Sequence, residues 1–212
     1  MNHLQELRLF EAPGPGATKG GDLTPLFAAL LNYAEKTPDP LMNKSLTTLH
    51  CSVIMRKPNI PFIQFLRLQP QIEELHGADV LHNAPIQLPE DVLPNLKKYH
   101  APSVRAALAW LRGRAVKLLV IPRIDSSNHV EILMDALTCS NAPVEELTVQ
   151  DNAWGRITYR EPQNNLLSRL AQISYPVVRL RIPAEYANMD ASGDGEDVRL
   201  ARLPKLQLFE RI

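Results

Sequence analysis

A short pattern of apolar positions recurs along the chain. Three anchor residues spaced as L-x-x-L-x-L occur eight times, and the first anchors are Leu4, Leu46, Ile72, Leu96, Val116, Val144, Val177 and Leu203. Of the 24 anchor positions, only Gly77 is not apolar. The last two anchors of each unit flank one residue that is mostly polar, as in a strand with one face on a core and one in solvent. The pattern therefore predicts eight short strands.

Helical segments are predicted between most of these strands. The candidates span residues 23–33, 60–68, 103–111, 127–139 and 164–174. Ser103 and Ser127 are the expected N-caps of the third and fourth helices. Four prolines stand one or two residues before a first anchor: Pro70, Pro94, Pro143 and Pro176. Because proline cannot continue a helix and is tolerated where a strand begins, these prolines mark the change from helix to strand.

The spacing of the units favours a repeat architecture. Successive units start 42, 26, 24, 20, 28, 33 and 26 residues apart. Most of these spacings lie near the roughly 20 to 29 residues of a leucine-rich repeat. We therefore predict an α/β fold of the leucine-rich-repeat solenoid type, irregular, with about eight strand–helix units, a curved parallel sheet inside and helices outside.

The repeats predict one domain over residues 1–212. Residues 12–22 and residues 186–198 interrupt the pattern with glycine-containing polar sequence, and both are predicted to be loops. The pattern opens at Leu4 and closes at Leu208, inside repeat strands. A domain truncated at both ends is therefore a second interpretation, because a solenoid normally carries capping elements.

A doubly wound α/β enzyme, such as a hydrolase or transferase, is the alternative fold. Its strands would be long, apolar and buried on both faces, whereas these segments carry pairs of glutamates or lysines between their anchors. The sequence offers no convergent set of acid and base residues and no Gly-x-Ser-x-Gly motif. We predict that the protein is not an enzyme, has no catalytic residues and needs no cofactor.

Charge and composition exclude further classes. Lys plus Arg total 23 and Asp plus Glu total 23, so the global basic excess typical of nucleic-acid binders is missing. No apolar run approaches the ~20 residues of a membrane span, and the first residues do not resemble a signal peptide. Cys51 and Cys139 lie in apolar sequence, which favours reduced thiols over a disulfide. We expect a cytoplasmic or nuclear protein that binds neither nucleic acid nor a membrane.

Three segments follow one another in a recognisable order. Residues 65–75 read FLRLQPQIEEL, residues 88–96 read LPEDVLPNL and residues 110–116 read WLRGRAV. This order resembles the leucine-rich region of fungal F-box-like proteins, and the similarity covers roughly Phe62 to Ile182. The resemblance implies an irregular leucine-rich-repeat platform that serves as the target-recognition half of a cullin-type ubiquitin ligase adaptor.

The chain departs from that family in its F-box, the helical module that docks on the ligase. The nearest match to an F-box opening is Leu88–Leu93, but Pro94 and the repeat anchors Leu96 and Tyr99 follow it at once. Proline at this place prevents the helix that should follow the motif. Binding to a ligase adaptor subunit is therefore not expected of this segment, and only the recognition half is predicted.

The residues between the anchors predict an exposed face on the sheet. Equivalent positions of neighbouring strands lie ~4.8 Å apart, so the residue between the second and third anchors forms a row across the sheet. In this row His50, His76 and His100 are neighbours. Three adjacent imidazoles could bind a metal ion or make partner binding depend on pH. Straight strands do not guarantee the convergent geometry of a metal site, however, and we expect no metal ion.

Charged pairs occupy two more positions of the same face, directly after each first anchor. Acidic and basic pairs alternate, so neighbouring strands are expected to attract each other. The predicted partner-binding residues are His50, Glu73, Glu74, His76, Lys97, Lys98, His100, Glu145, Glu146, Arg179 and Arg181. Trp154, just past a strand, is a candidate anchor at the rim. Cross-strand pairs of this kind also occur where they only support the sheet.

These observations predict a non-enzymatic module that recognises a protein partner through the exposed face of the sheet. A truncated repeat protein that has kept no partner is the second interpretation. A hydrolase or transferase on a doubly wound sheet is the third.

Overall fold

The computed structural model of the chain describes residues 5–9, 23–36, 46–55, 59–80, 88–122, 124, 126–150, 163–183 and 200–211. The strands are β1 (Glu6–Leu9), β2 (Thr48–Met55), β3 (Glu74–Val80), β4 (Lys98–His100), β5 (Leu118–Ile121), β6 (Glu146–Val149), β7 (Arg179–Ile182) and β8 (Leu208–Arg211). The helices are α1 (Thr24–Lys36), α2 (Ile60–Arg67), α3 (Val104–Leu111), α4 (Ser127–Thr138) and α5 (Gln163–Gln172).

The described strands form one open, parallel sheet. Its order runs from β1 to β8, so neighbours in the sheet are also neighbours along the chain. This confirms the α/β class, the eight strands and their parallel pairing. A doubly wound sheet would reverse its strand order partway across, and no such reversal occurs among these eight strands. The doubly wound alternative is therefore wrong as a fold.

The predicted register is confirmed for the first seven strands. The second anchors lie side by side across the sheet, and they are Leu7, Leu49, Leu75, Tyr99, Leu119, Leu147 and Leu180. From the second strand to the seventh, these side chains are at most 1% exposed. A single row of large apolar residues therefore runs along the centre of the core.

The last unit departs from the prediction by three residues. Phe209, and not Leu206, lies opposite Leu180 on the neighbouring strand. Leu203 is buried but belongs to a turn, in which its amide donates to the carbonyl of Leu200. Leu203, Leu206 and Phe209 follow one another at intervals of three residues, so the apolar spacing fits both registers. The turn contains residues that the sequence pattern assigns to the strand.

The helices begin and end close to where the sequence predicts. The side chain of Ser103 accepts a hydrogen bond from the amide of Ala106 and caps α3, as expected. The cap of α4 is Ser126, which accepts from the amide of His129, so the assignment to Ser127 is wrong by one residue. Two adjacent serines give the same sequence signal, and only the backbone geometry decides between them.

The helices pack against the anchor face of the sheet. The Trp110 ring of α3 lies 6.1 Å from the Tyr99 ring of β4 and 6.5 Å from the Phe62 ring of α2, measured between ring centroids. Phe27 of α1 packs on Phe62 at 4.7 Å. One continuous hydrophobic core thus lies between helices and sheet, and the opposite face of the sheet carries the polar residues.

The exceptional anchor, Gly77, is explained by an irregularity between β2 and β3. Its φ is +88°, and a Cβ at this position would lie 1.8 Å from the carbonyl oxygen of Cys51. The register between the two strands shifts just after Cys51. The next residue, Ala78, also has a positive φ, and its carbonyl accepts a hydrogen bond from the indole of Trp110 at 3.0 Å. Glycine is required here by the close approach of two backbones.

Several predicted features lie outside the described residues. They are the loops at 12–22 and 186–198 and the rim residue Trp154. The fold therefore supports the sheet, the helices and their register, and the candidate site is built on these alone.

Candidate functional site

The exposed face of the sheet carries a central row of side chains in hydrogen-bonded register. We call it the central row: Arg8, His50, His76, His100, Val120, Thr148, Arg181 and Glu210. The first seven members are those that the sequence predicts. At the last position Glu210 replaces the expected Gln207, because β8 begins three residues later than predicted.

The three histidines of the central row form a continuous stack. The rings of His50 and His76 lie 3.8 Å apart between centroids with an interplanar angle of 20°. His76 and His100 repeat this arrangement at 3.8 Å and 17°. Neighbouring strands lie about 4.8 Å apart, which is only about 1 Å more than the separation of the rings, so small tilts bring the rings together. The predicted neighbourhood of the three histidines is confirmed.

Two carboxylates contact the edges of this histidine stack. Glu6 Oε1 lies 3.1 Å from Nε2 of His50, and Glu74 Oε1 lies 2.7 Å from Nε2 of His76. The same Glu74 oxygen lies 3.7 Å from Nε2 of His100. The sequence predicts Glu74 only as a member of a charged pair, and its contact with the histidines is not predicted. The available signal was the spacing of two residues on one strand, which puts Glu74 and His76 on the same face.

Partial burial and crowding shift the pKa values of the stack. Burial and, to a smaller extent, the neighbouring His76 lower the pKa of His100 to about 4, although Glu74 opposes the shift. The pKa of His50 is also lowered, again mainly by burial and by His76. Burial opposes ionisation of Glu74, but hydrogen bonding to His76 and the charge of Lys98 outweigh it, so the pKa of Glu74 is lowered. At neutral pH the imidazoles of His50 and His100 are therefore uncharged, and the carboxylate of Glu74 is charged.

Ion pairs join neighbouring strands on the same face. Glu73 pairs with Lys97 at 2.5 Å, and Glu74 Oε2 lies 3.6 Å from Lys98 Nζ, as the alternation of charged pairs predicts. Between β6 and β7, Glu146 pairs with Arg179 at 3.2 Å. These contacts confirm that acidic and basic positions of adjacent strands face each other.

Two of the predicted charges have other partners than the alternation suggests. Glu145 pairs with Lys117 of the preceding unit at 3.4 Å. Arg181 pairs with Glu210 of β8 at 2.6 Å. Both Lys117 and Glu210 therefore belong to the charged face and were missing from the predicted set. Lys117 was identifiable, since it occupies the same place in its unit as Lys97 and Glu145.

The segment that resembles an F-box opening forms turns in this structure. Leu88, Val92 and Leu93 are buried, and the Arg114 side chain donates hydrogen bonds to the carbonyl oxygens of Val92 and Pro89, each at 2.8 Å. Arg114 is itself 1% exposed, and burial lowers its pKa to about 10. The expectation that no helix forms over this segment is confirmed, and its three buried side chains belong to the core.

Both cysteines are free thiols, as expected. Cys51 is buried, and burial raises its pKa to about 12. Cys139 is half-buried near the end of α4. A thiol with a raised pKa is a poor nucleophile, so Cys51 acts as a core residue.

Fold and site together define an α/β protein whose parallel sheet is covered by helices on one face and presents a charged face with a histidine stack on the other. Comparison with models of protein families, with curated proteins and with solved structures gave no match. No helix in the described part of the chain is long and apolar enough to cross a membrane. Functional inference therefore rests on the exposed face itself.

Proposed function

We propose that the protein is a leucine-rich-repeat module that recognises a protein partner through the exposed face of its sheet, without catalysis. The observation that carries this proposal is the sheet in sequence order with one face covered by helices and the other lined by charged residues and histidines. Repeat proteins of this architecture present such a face to their partners. The unit spacing and the anchor pattern support the assignment to leucine-rich repeats.

The ion pairs of the exposed face are weak enough for a binding partner to replace them. Its ion pairs are solvent-accessible, as in Glu73–Lys97, where the two side chains are 48% and 51% exposed. Pairs of this kind contribute about 0 to 1 kcal/mol each. A partner with complementary charges can therefore replace them at little cost, and the alternation of signs along the face supplies specificity.

The resemblance to fungal F-box-like proteins suggests a more specific role. On this proposal the module corresponds to the target-binding half of a ubiquitin ligase adaptor in the cytoplasm or nucleus, and the two free thiols support a reducing compartment. Docking on the ligase is not proposed for residues 88–93, because Arg114 holds that segment as a turn.

The test is affinity capture with three forms of the protein. The face variant replaces Lys97, Lys98, Glu145 and Glu146 by alanine. The matched control replaces Arg67, Asp91, Glu131 and Arg169, which form two ion pairs on the helix side at 2.8 and 2.9 Å. Each variant removes two positive and two negative charges, so both keep the net charge of the wild type.

We expect a partner that binds the wild type and the control and is lost from the face variant. Equal capture by all three forms would place the binding site elsewhere on the molecule. Failure of every form to retain a partner would favour the interpretation of a repeat protein without a retained partner.

A further inference from the structure

Three potential metal ligands converge on the exposed face of β3 and β4. Glu74 and His76 are two residues apart on β3 and share a face, and His100 of β4 lies directly opposite His76. One ligand atom from each residue can be chosen so that all three lie within 4.8 Å of one another. The three groups are partly exposed, so an ion and water can reach them from solvent.

The distances are close to those of a coordination site. Zn²⁺ binds histidine nitrogen and carboxylate oxygen at about 2.0 to 2.2 Å, which places two ligand atoms of a tetrahedral site about 3.4 Å apart. Glu74 Oε1 lies 2.7 Å from His76 Nε2 and 3.7 Å from His100 Nε2. These two separations bracket the required value, so movements of less than about 1 Å suffice for these two pairs, and the ligand atoms of the two histidines lie within 4.8 Å of each other.

The stacked rings must tilt to share one ion. The lone pair of an imidazole nitrogen lies in the ring plane, and the planes of His76 and His100 are within 17° of parallel. Rotation about the bond between Cβ and the ring has a broad energy profile, so convergence costs little torsional energy. The side chains are 25% and 33% exposed, which leaves room for this rotation.

Lys98 and the two imidazoles face different oxygens of the Glu74 carboxylate. Its Oε2 faces Lys98 Nζ at 3.6 Å, while Oε1 faces both imidazoles. The ion pair with Lys98 therefore engages one oxygen and leaves the other facing the histidines.

We propose that Glu74, His76 and His100 bind one divalent transition-metal ion, with water completing the coordination. The set of two nitrogens and one oxygen suits Zn²⁺ and related ions and is poor for Mg²⁺ or Ca²⁺. The sequence predicts no metal site because it indicates only the histidines as neighbours. The structure adds the carboxylate of Glu74 to them, and this changes the conclusion. This site goes beyond the proposed recognition function and does not depend on it.

The experiment is a calorimetric titration of Zn²⁺ into the full, tag-free chain after treatment with a chelator. We expect one equivalent to bind at neutral pH and no heat from Mg²⁺. Glu74→Gln and His100→Ala should each weaken that binding by at least about tenfold, because a direct ligand contributes no less than an outer-shell partner does. Glu74→Gln keeps the shape and the hydrogen-bond acceptor of the side chain, so it isolates the loss of the charged ligand.

Two variants serve as controls for the loss of a histidine. His129→Asn changes a histidine of α4, and His50→Asn removes the ring stacked on His76 but none of the three ligands. His129→Asn should leave Zn²⁺ affinity within about threefold of the wild type, and His50→Asn should weaken it less than the loss of a ligand does. The thermal transition of every variant is recorded first, and the imidazole resonances of His76 and His100 are followed by NMR during the titration, which reports the site independently of heat.

Each outcome of these measurements either supports or overturns the proposed metal site. Loss of affinity in Glu74→Gln and His100→Ala, with shifts of both imidazoles, supports the site. Equal affinity in all variants, or no heat and no shift up to about 1 mM Zn²⁺, overturns it. Equal loss in His50→Asn would also contradict the proposal, because the ion would then be held by the stack as a whole.

Discussion

The helix-covered face and the exposed face of the sheet are built from the same strands, but they are held together by different forces. On the covered face, Leu49, Leu75 and Leu119 are fully buried and pack in one row. On the exposed face, side chains one residue away form ion pairs and a histidine stack that remain accessible to water. Because successive side chains of a strand point to opposite faces of the sheet, one set of residues forms the core and the other set forms the exposed surface.

This difference explains why the exposed face is open to functional change. Burial of one leucine contributes about 1.5 to 3 kcal/mol, whereas an exposed ion pair contributes about 0 to 1 kcal/mol. Substitutions on the covered face should therefore act on folding, and those on the exposed face should act on binding.

The largest effect is expected for Gly77→Ala on the covered side of β3. The added Cβ would lie 1.8 Å from the carbonyl oxygen of Cys51, and the residue has a φ of +88°. We expect the free energy of unfolding to fall by about 4 kcal/mol or more, as measured by urea denaturation. Gly113→Ala is the control: its φ is +72°, but its new Cβ would meet only the Glu90 side chain at 3.0 Å. A loss for Gly77→Ala no larger than for the control would contradict this account of the irregularity.

A somewhat smaller effect is expected for Arg114→Met. The variant keeps the apolar stem but leaves the buried carbonyl oxygen of Val92 and the partly buried carbonyl oxygen of Pro89 without their donor. Loss of such a buried charged partner should cost about 3 kcal/mol in the same assay. Arg112→Met changes a half-buried arginine two residues away and should cost less than about 1 kcal/mol. Similar losses in the two variants would show that the hydrogen bonds of Arg114 do not stabilise the fold.

A moderate effect is expected from alkaline pH through Cys51. Because burial raises the pKa of this thiol from 9.0 to about 12, the folded state keeps a proton that the unfolded chain releases. The stabilising contribution is complete below pH 9 and is lost as the pH rises from there toward 12, by about 1 kcal/mol near pH 10. The free energy of unfolding, measured from denaturation curves at pH 8, 9 and 10, should therefore decrease more steeply with pH for the wild type than for Cys51→Ala. Equal slopes in the wild type and in Cys51→Ala would rule out the assignment to Cys51.

The smallest effect is expected on the exposed face, for the pair Glu73 and Lys97. A double-mutant cycle with Glu73→Gln and Lys97→Met should give a coupling energy of about 0.2 to 1 kcal/mol that decreases at high salt. Thermal unfolding at low and high ionic strength measures it. A coupling energy above about 2 kcal/mol would show that ion pairs of the exposed face contribute substantially to the stability of the fold.

Much of the fold could be predicted from the apolar pattern, because anchor residues of a one-sided sheet repeat with a fixed spacing. The row from Leu7 to Leu180 follows directly from it. The last strand could not be placed, since Leu206 and Phe209 satisfy the same spacing and only the turn at Leu203 decides between them.

The candidate site was predicted in part, for a related reason. The histidine neighbourhood follows from the register alone, whereas the contact of Glu74 with two imidazoles depends on side-chain rotamers that the sequence does not specify. Arg114 was missed because a pattern of apolar positions gives no signal for a buried cation. Its acceptors, Val92 and Pro89, lie on a turn more than twenty residues earlier in the chain.

The order of the strands also has a consequence for the folding kinetics. Because neighbours in the sheet are neighbours along the chain, none of the eight described strands has to find a partner in a remote part of the sequence. Folding can begin at one pair of units and spread in both directions. The aromatic contacts among Phe27, Phe62 and Trp110 mark the units around α2 as the place where the slowest amide exchange is expected. The core of this protein should therefore assemble outward from its aromatic centre, one repeat at a time.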